Sequence, residues 1–446
     1  MKMHATPSGP LTGTVNLPGD KSISHRAILF AALAEGTSHV DNLLVAGVTE
    51  SMLAALKALG VGWELEREKL TVHGRGMNGL KVPEEPIHCG NSATTMRLLA
   101  GTCAAAGVPV VLDGSESLRS RPMSRIVDPL WEMGAPIKAM GKGCTAPLQL
   151  AARLKGQALR GMEYHAPVAS AQVKSCLMLA GLAAENPLEY TEPSPSRDHT
   201  ERMFSQMGAG VQREEWDDGS VQVVLEPQRG RAMHPMDMAV PGDISSAAFL
   251  MVAALITPGS DVLLRGVGLN PTRTGILEAL REMGAQIEVQ HLRQVHGEPV
   301  GDLRVRHSPL QGVFVGNPMV VRMIDEMPVF GVAAAYAEGE TRVDDAGELR
   351  VKETDRISAL SEELRELGVK IEEREEGFTI QGGTPLKGGR VKARGDHRMA
   401  MALAVAGLGA EGSVKIEGAE VVAESFPAFT QTLNALGGEV AFREEL

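Results

Sequence analysis

The stretch PGDKSISHRA, residues 18–27, decides the fold that we predict, because the pattern that it begins returns five more times along the chain. A Pro-Gly-Asp turn leads into charged and polar residues, and an apolar run follows. Asp20 and Ser22 are residue types favoured at a helix N-cap, so this run predicts a buried helix. The helix start also holds Lys21 and Arg26, and its free N–H groups and dipole favour an anion. A capped surface helix with solvated charges is the simpler alternative.

The same arrangement, a polar turn before a helix rich in Ala, Leu and Met, recurs at CGNSATTM, VASAQVKS, PGDISSAA, MIDEMPVF and RGDHRMAM. Each of the six helices is followed by a β-rich stretch, a second and more amphipathic helix, and a Leu-Gly or Met-Gly pair. The glycines of these pairs are Gly60, Gly134, Gly208, Gly284, Gly368 and Gly437. Glycine suits the left-handed residue that follows many helices. We therefore divide the chain into six repeats of one supersecondary unit.

The two helices of a repeat predict different positions in the fold. The first is almost wholly apolar or small, so it should be buried on all sides, whereas the second has one apolar stripe. This predicts an α/β protein with buried helices and outer sheets. The segment PQRGRAMHPMD, residues 227–237, is loop-like and separates three repeats from three. The chain should thus form two similar halves with a ligand-binding cleft between them.

Composition narrows the class of protein. The chain has 446 residues, enough for two or three domains, and 44 basic against 56 acidic residues give a net charge of −12. Without a basic domain, nucleic acid is not expected as a partner. Four cysteines without a C-x-x-C pair predict buried free thiols in a reducing compartment. With no apolar signal region and no run of ~18 apolar residues, we expect a cytoplasmic protein and no membrane partner.

The polar residues near the repeat starts include more cations than acids. If these starts converge, they form a site for small molecules that carry phosphate or carboxylate, with Asp325 and Glu353 free for proton transfer. A helix cap or a solvated charge is the alternative for most of them, and Asp325 is either an N-cap or a functional base. The charges of LRVKETDR, residues 349–356, also suit a salt-bridged helix start. His25 and His397 lack partners at metal-ligand spacing, so no metal site is predicted.

Nine stretches in order resemble one family of enolpyruvyl transferases, the EPSP synthases (3-phosphoshikimate 1-carboxyvinyltransferases). They are PGDKSISHR, GNSATTMRL, RPM, SAQVKS, SRDHT, IDE-P, LRVKETDR, GDHRMAMA and ESFPAF. The resemblance implies two domains of three βαβαββ units each, an inside-out α/β barrel. It also implies that the N-terminal tail joins the second domain. The expected domains are 18–238, and 1–17 together with 239–446.

The implied reaction moves the enolpyruvyl group of phosphoenolpyruvate to the 5-hydroxyl of shikimate 3-phosphate and releases phosphate. It belongs to the shikimate pathway to chorismate and the aromatic amino acids, and it uses no metal or cofactor. By similarity, shikimate 3-phosphate would be bound by Ser22, Arg26, Ser170, Ser194, Arg197, Asp325 and Lys352. Phosphoenolpyruvate would be bound by the backbone at Ala93 and by Arg121, Gln172, Arg356 and Arg398. Lys21 would contact both substrates, and Ala171 belongs to the same substrate-binding segment as its two neighbours.

The resemblance also suggests catalytic roles. The hydroxyl must lose a proton while the methylene carbon of phosphoenolpyruvate gains one. Asp325 is the candidate base at the hydroxyl, and Glu353 and Lys21 are candidates for proton exchange at the enolpyruvyl end. The arginines would bind carboxylate and phosphate groups and stabilise the leaving phosphate. Closure of the domains would exclude water. We expect the enzyme to act as a monomer.

Two positions depart from the family pattern. Some members carry a lysine where this chain has Glu424, so that contact to phosphoenolpyruvate is absent or is replaced by another cation. Many members have glycine where this chain has Ala93. In the family an alanine there accompanies tolerance to glyphosate, which occupies the phosphoenolpyruvate pocket, so weak glyphosate inhibition is expected.

Two alternatives compete with this interpretation of the function. The sister enzymes that use UDP-N-acetylglucosamine as acceptor typically carry a reactive cysteine in a loop before an Arg-Pro pair. The corresponding loop here, DGSESLRSRPM, has none. The other alternative is a non-catalytic repeat scaffold that binds anions. A scaffold has no reason to assemble Lys21, Asp325, Glu353, Arg356 and Arg398.

Overall fold

The computed structural model describes residues 2–153 and 157–444. Contacts divide the chain into two compact lobes. The N-terminal lobe comprises Lys21–Val240 and Val295–Glu298, and the C-terminal lobe comprises the residues up to Asp20, Pro241–Gln294 and the residues from Pro299 onward. The chain therefore changes lobe after Asp20 and after Val240, a few residues beyond the expected boundaries at 17/18 and 238/239.

The described residues form short strands in both lobes. In chain order they are β1 Lys2–Thr6, β2 Thr12–Asn16, β3 Glu35–Asp41, β4 Gly62–Glu66, β5 Lys69–Arg75, β6 Ile87–His88, β7 Val110–Asp113, β8 Ile137–Gly141, β9 Thr145–Leu150, β10 Glu163–His165, β11 Leu188–Glu192, β12 Val211–Glu215, β13 Val221–Leu225, β14 Asp237–Ala239, β15 Asp261–Gly268, β16 Gln286–Val295, β17 Glu298–Arg306, β18 Phe314–Val315, β19 Glu340–Val343, β20 Lys370–Arg374, β21 Gly377–Gln381, β22 Gly389–Lys392, β23 Val414–Glu417 and β24 Glu439–Arg443.

The helices alternate with these strands. They are α1 Lys21–Leu33, α2 Gly47–Ala58, α3 Ala93–Ala106, α4 Glu116–Arg119, α5 Ser124–Glu132, α6 Ala171–Gly181, α7 His199–Gln206, α8 Ile244–Ile256, α9 Gly275–Glu282, α10 Met319–Arg322, α11 Met327–Tyr336, α12 Arg356–Glu366, α13 His397–Leu408 and α14 Phe429–Ala435, with 3₁₀ turns at Met77–Gly79, Gly347–Val351 and Ala419–Glu424.

Within residues 2–153 and 157–444, each lobe has three four-stranded sheets with one shared topology. In the N-terminal lobe the strand orders are β14-β3-β5-β4, β6-β7-β9-β8 and β10-β11-β13-β12; in the C-terminal lobe they are β16-β17-β15-β2, β18-β19-β21-β20 and β22-β23-β1-β24. In every sheet one outer strand is parallel to its neighbour. The sixfold repeat and the α/β class, both predicted from the sequence, are confirmed, and the structure adds that the sheets are mixed.

Two repeats exchange their first strands. β2 precedes α1 in the chain but pairs in parallel with β15 of the fourth repeat. β14 precedes α8 but pairs in parallel with β3 of the first repeat. β14 begins at Asp237, the last residue of the segment 227–237, for which the sequence predicts a loop. A strand of three residues without alternating polarity has no recognisable pattern in the sequence. The first strand of the chain, β1, lies between β23 and β24 and completes the sixth sheet.

The first helix of every repeat is buried, as predicted. These helices are α1, α3, α6, α8, α11 and α13, and all thirteen residues of α8 are buried. They pack within two apolar cores, one in each lobe, to which the strands and the second helices also contribute. Burying a Leu or Phe side chain yields about 1.5–3 kcal/mol, so these cores supply much of the stabilising free energy.

The second helix of every repeat ends at a left-handed glycine. The φ angles of Gly60, Gly134, Gly208, Gly284, Gly368 and Gly437 lie between +78° and +104°. Residues with a Cβ atom are disfavoured at such angles, which explains why the six Leu-Gly and Met-Gly pairs recur.

The cysteines are free thiols. Cys89, Cys103 and Cys176 are buried, and burial raises the pKa of Cys103 and of Cys176 to about 12. Cys144 differs from the expectation because it is only partly buried. Within the described part of the chain, no helix combines the length and hydropathy needed to cross a bilayer.

Candidate active site

The residues singled out from the sequence fall into two groups, one in each lobe. The N-terminal lobe holds Lys21, Ser22, Arg26, Ala93, Arg121, Ser170, Ala171, Gln172, Ser194 and Arg197, and the C-terminal lobe holds Asp325, Lys352, Glu353, Arg356 and Arg398. In both lobes most of these residues lie at or just before the start of a helix.

The start of α1 is connected to the loop that precedes α7. The Arg197 guanidinium donates to Ser22 Oγ at 2.9 Å. Arg26, one turn further along α1, is buried and donates to the carbonyl of Ser22 (2.9 Å), to Ser175 Oγ (2.7 Å) and to Thr200 Oγ1 (2.8 Å). Three of the predicted residues are thus joined in one hydrogen-bonded group.

His25 fixes the starts of α1 and α3 relative to each other. Its Nδ1 is 2.8 Å from the carbonyl oxygen of Lys21, and its Nε2 is 3.2 Å from Ser92 Oγ. Because the carbonyl can only accept, Nδ1 donates, and Nε2 of the neutral ring accepts from the hydroxyl. Burial, together with the charges of Lys21 and Arg26, lowers the pKa of His25 to about 4, so the ring is neutral near pH 7.

The start of α3 is a small-residue turn. Ser92 caps the helix by accepting from the backbone N–H of Thr95 at 3.1 Å, and Ala93 is the buried first residue. A helix start of this kind presents backbone N–H groups to an anion.

The predicted Gln172 lies beside Arg97. The sequence did not indicate Arg97 as a site residue. The Arg97 guanidinium donates to Gln172 Oε1 (2.6 Å) and to the carbonyl of Pro122 (3.1 Å). Gln172 in turn donates to Thr94 Oγ1 at 3.0 Å. These bonds connect α3, α6 and the segment after Arg121. Arg97 is a single arginine within an otherwise apolar helix. Such a pattern does not distinguish a substrate-binding residue from a structural one.

The C-terminal lobe brings four predicted residues together around Arg356. Its Nη1 is 3.3 Å from Asp325 Oδ1, its Nη2 is 2.7 Å from Glu353 Oε2, and Arg398 Nη2 is 3.3 Å from Asp325 Oδ2. Burial opposes the charge of Arg356, but Asp396, Glu353 and Asp325 together raise its pKa, so the guanidinium stays protonated. Two arginines and two carboxylates therefore converge in one cluster.

Asp325 is not the helix cap that the sequence left open as an alternative. The N-cap position of α11 is Glu326, whose side chain makes no cap bond. The Asp325 carboxylate faces Arg356 and Arg398 instead. The other alternative, a salt-bridged helix start at residues 349–356, is present in part: Glu353 pairs with Arg356, and Asp355 caps α12.

Lys352 is buried close to carboxylates, and the two influences act on its charge in opposite directions. Burial lowers the pKa of its ammonium group, while the nearby carboxylates of Asp325 and Glu348 oppose that shift. A lysine of this kind gives up its proton more readily than a solvated one, although it lies next to the predicted base.

Asp396, two residues before Arg398, contacts the cluster although no role was predicted for it from the sequence. It is fully buried and caps α13, because its Oδ1 accepts from the backbone N–H of Arg398 at 2.8 Å. Its Oδ2 accepts from Arg356 Nε at 2.7 Å. One carboxylate thereby fixes both arginines of the cluster.

The position of Glu424, where some relatives have lysine, lies next to a histidine. Glu424 Oε2 is 3.9 Å from Nδ1 of His397, which is buried and directly precedes Arg398. A carboxylate thus occupies this position, beside the residue that precedes Arg398.

Comparisons with known proteins agree on one family. A model of EPSP synthase (3-phosphoshikimate 1-carboxyvinyltransferase) matches residues 5–433. A 3-phosphoshikimate 1-carboxyvinyltransferase of Syntrophomonas wolfei is 49% identical over 428 residues, which cover 96% of this chain and 97% of that protein. One of Halorhodospira halophila is 50% identical over 435 residues, covering 97% and 96%. A solved EPSP synthase from Acinetobacter baumannii has a TM-score of 0.87 at 41% identity and covers 100% of both chains.

These matches do not favour the UDP-N-acetylglucosamine alternative or the scaffold. The resemblance inferred from the nine motifs is confirmed over nearly the whole length, together with the transferase class and the two-domain inside-out α/β fold. The chain belongs to the EPSP synthase (3-phosphoshikimate 1-carboxyvinyltransferase) family.

Proposed function

We propose that this chain transfers the enolpyruvyl group of phosphoenolpyruvate to the 5-hydroxyl of shikimate 3-phosphate and releases phosphate. It thereby supplies the shikimate pathway to the aromatic amino acids. The relatives carry the name of this activity and match the chain over 96–97% of its length. The observation that carries the proposal is the cluster of Arg356, Arg398, Asp325 and Glu353 in the C-terminal lobe.

The two guanidinium groups of this cluster suit phosphoenolpyruvate, which bears a carboxylate and a phosphate. A planar guanidinium binds either group through paired N–H donors and stabilises the charge that builds up as phosphate leaves. We assign Arg356 and Arg398 to this substrate. In the N-terminal lobe, Arg121, Gln172 and the backbone at Ala93 are proposed to bind the same substrate.

Shikimate 3-phosphate is assigned to hydroxyl groups and cations. In the N-terminal lobe these are Ser22, Arg26, Ser170, Ser194 and Arg197, and the bond from Arg197 to Ser22 supports treating them as one group. In the C-terminal lobe the cation is Lys352, and the Asp325 carboxylate is proposed to bind the same substrate. Lys21, at the first position of α1, is proposed to contact both substrates, and Ala171 belongs to the same binding segment as Ser170.

The reaction needs proton transfer at two places. The 5-hydroxyl loses its proton to become a nucleophile, and the methylene carbon of phosphoenolpyruvate gains a proton and later returns one, because the product again has a methylene group. We assign Asp325 as the base at the hydroxyl and Glu353 with Lys21 to the methylene end. The ion pairs of Asp325 and Glu353 with arginine favour their ionised, proton-accepting forms.

Three further expectations belong to this proposal. The two lobes are proposed to be the two domains of the enzyme. It is proposed to act as a monomer and in the cytoplasm.

The test is phosphate release from phosphoenolpyruvate, with shikimate 3-phosphate or UDP-N-acetylglucosamine as the acceptor. Release only with shikimate 3-phosphate is expected, and Asp325→Asn should lower kcat at least about a hundredfold, in the range of a lost general base. Asp261→Asn is the matched control, because this partly exposed carboxylate at the start of β15 also pairs with two arginines, Arg304 and Arg306. Release only with the sugar nucleotide would contradict the proposal.

A further inference from the structure

A buried ion cluster in the N-terminal lobe has no place among the roles assigned so far. It consists of Lys174 on α6, Glu192 at the end of β11 and Glu201 on α7. The Lys174 ammonium is 2.7 Å from Glu192 Oε1 and 2.7 Å from Glu201 Oε1, and all three side chains are at most 5% exposed. Burial would lower the pKa of Lys174, but the two carboxylates outweigh it and raise that pKa, so the ammonium stays charged.

Glu192 shapes the turn that follows β11. Its carboxylate accepts three bonds: from the backbone N–H of Ser196 at 3.0 Å, from Ser196 Oγ at 2.6 Å and from the Lys174 ammonium. These bonds fold residues 193–196 back over the end of the strand. The turn carries Ser194 and leads directly into Arg197, two residues proposed to bind shikimate 3-phosphate.

Lys174 belongs to a second substrate segment. It lies on the first turn of α6, which begins immediately after Ser170. Its ammonium also lies 3.5 Å from the carbonyl oxygen of Ser196. The next residue, Ser175, accepts from Arg26, so the same turn of helix contacts α1 as well. One buried cation therefore connects the segments 170–172 and 194–197.

We infer that Lys174 and Glu192 are positioning residues for the shikimate 3-phosphate site, because they fix the turn 193–196 against the start of α6. The inference rests on the proposed function, since it uses the substrate assigned to Ser194 and Arg197. A buried ion pair adds little net stability compared with apolar side chains of similar size, whereas its directional bonds restrict the geometry around it. The cluster thus holds the substrate-binding turn in one arrangement.

The test uses two variants that do not leave an additional unpaired charge in the buried cluster. Ser196→Ala removes one hydroxyl bond to Glu192, and Glu192→Gln keeps the shape of the side chain but not its charge. Replacing Lys174 alone would leave two buried carboxylates without their cation and could unfold the lobe. Ser38→Ala is the matched control: Ser38 is also buried in this lobe, and its hydroxyl accepts from the backbone N–H of Met236 at 3.0 Å.

Steady-state kinetics and melting temperature are measured for the wild type and the three variants. Ser196→Ala should raise KM for shikimate 3-phosphate about tenfold, as expected for a lost bond to a charged group, and Glu192→Gln should raise it more. KM for phosphoenolpyruvate and kcat should stay within about twofold. Ser38→Ala should lower the melting temperature without changing either KM.

Two other outcomes can be told apart. If Ser196→Ala and Glu192→Gln lower only the melting temperature, as the control does, the cluster is structural and the inference is wrong while the proposed function stands. If the wild type releases no phosphate with shikimate 3-phosphate, the proposed function itself is wrong, and the inference fails with it.

Discussion

Single residues in the C-terminal lobe show how one carboxylate can organise two cations. Asp396 caps α13 and accepts from both Arg356 and the backbone of Arg398. Its side chain is fully buried, and both of its carboxylate oxygens are taken up by these bonds. Its effect on the reaction must therefore act through the two arginines.

We predict that Asp396→Asn lowers kcat/KM for phosphoenolpyruvate by about 10- to 100-fold, the range for a lost bond to a charged group. The amide keeps the size of the carboxylate but removes its charge and one acceptor, so Arg356 loses its fixed orientation. Steady-state kinetics with varied phosphoenolpyruvate checks this. Asp344→Asn is the control, because Asp344 pairs with Arg342 and Arg374 at a more exposed place. Equal effects of the two variants would contradict the prediction.

A second residue-scale prediction concerns Ala93. Its methyl group is buried at the first position of α3, where the backbone is proposed to bind phosphoenolpyruvate. We expect glyphosate to inhibit the wild type weakly and to inhibit Ala93→Gly at least about tenfold more strongly, because loss of the methyl group widens the pocket. Ala104→Gly, a buried position near the other end of the same helix, controls for the flexibility that glycine adds. Potent inhibition that Ala93→Gly does not strengthen would contradict the prediction.

At the scale of elements, the second helix of each repeat is terminated by a glycine with left-handed backbone angles and not by a capping side chain. Gly368 after α12 has φ +86°, and a Cβ atom there would meet nothing closer than 3.5 Å, at Lys387. The space is open, so only the backbone angle disfavours a larger residue.

We predict that Gly368→Ala lowers the free energy of unfolding by about 1–2 kcal/mol, the strain of a Cβ atom in the left-handed region. Gly47→Ala should have the opposite sign or no effect. Gly47 is the first residue of α2, its φ is not left-handed, and a Cβ atom would have nothing within 4 Å. Denaturant unfolding of both variants checks this. A loss of stability at Gly47 as large as that at Gly368 would show that the angle is not the cause.

The elements were largely predictable because their signals are local. Each buried helix was an unbroken apolar run, and each second helix ended at a Leu-Gly or Met-Gly pair. The site contacts were not local. Arg356 and Asp396 are 40 positions apart, and Arg26 and Thr200 are 174 positions apart. No periodicity connects such pairs, so the sequence indicated the residue types at the helix starts but neither their partners nor the roles of Asp396, Arg97 and Lys174.

At the scale of the whole molecule, neither lobe is a continuous piece of chain. The C-terminal lobe takes β1 and β2 from the N-terminus, and β1 occupies an inner position of its sheet, between β23 and β24. An inner strand that is missing leaves both neighbours without their hydrogen-bonding partner, which is costly for buried backbone groups.

We predict that a chain beginning at residue 17 loses hydrogen-exchange protection in β23, β24 and β15 but keeps it in β7, β11 and β13. The first three strands pair with β1 or β2, whereas the last three belong to sheets of the N-terminal lobe. Hydrogen exchange followed by mass spectrometry checks this, with the N-terminal lobe as the internal control. Unchanged protection in β23 and β24 would contradict the prediction.

The inner position of β1 has a consequence for biosynthesis. Thr6 of β1 and Glu439 of β24 are hydrogen-bonded although 433 positions separate them. At translation rates of roughly 5–20 residues per second, β1 leaves the ribosome about 20 to 90 s before its partner strand exists. The first strand of the chain is thus the last to find its place. During that interval the side of β1 that will pair with β24 has no partner in the chain made so far.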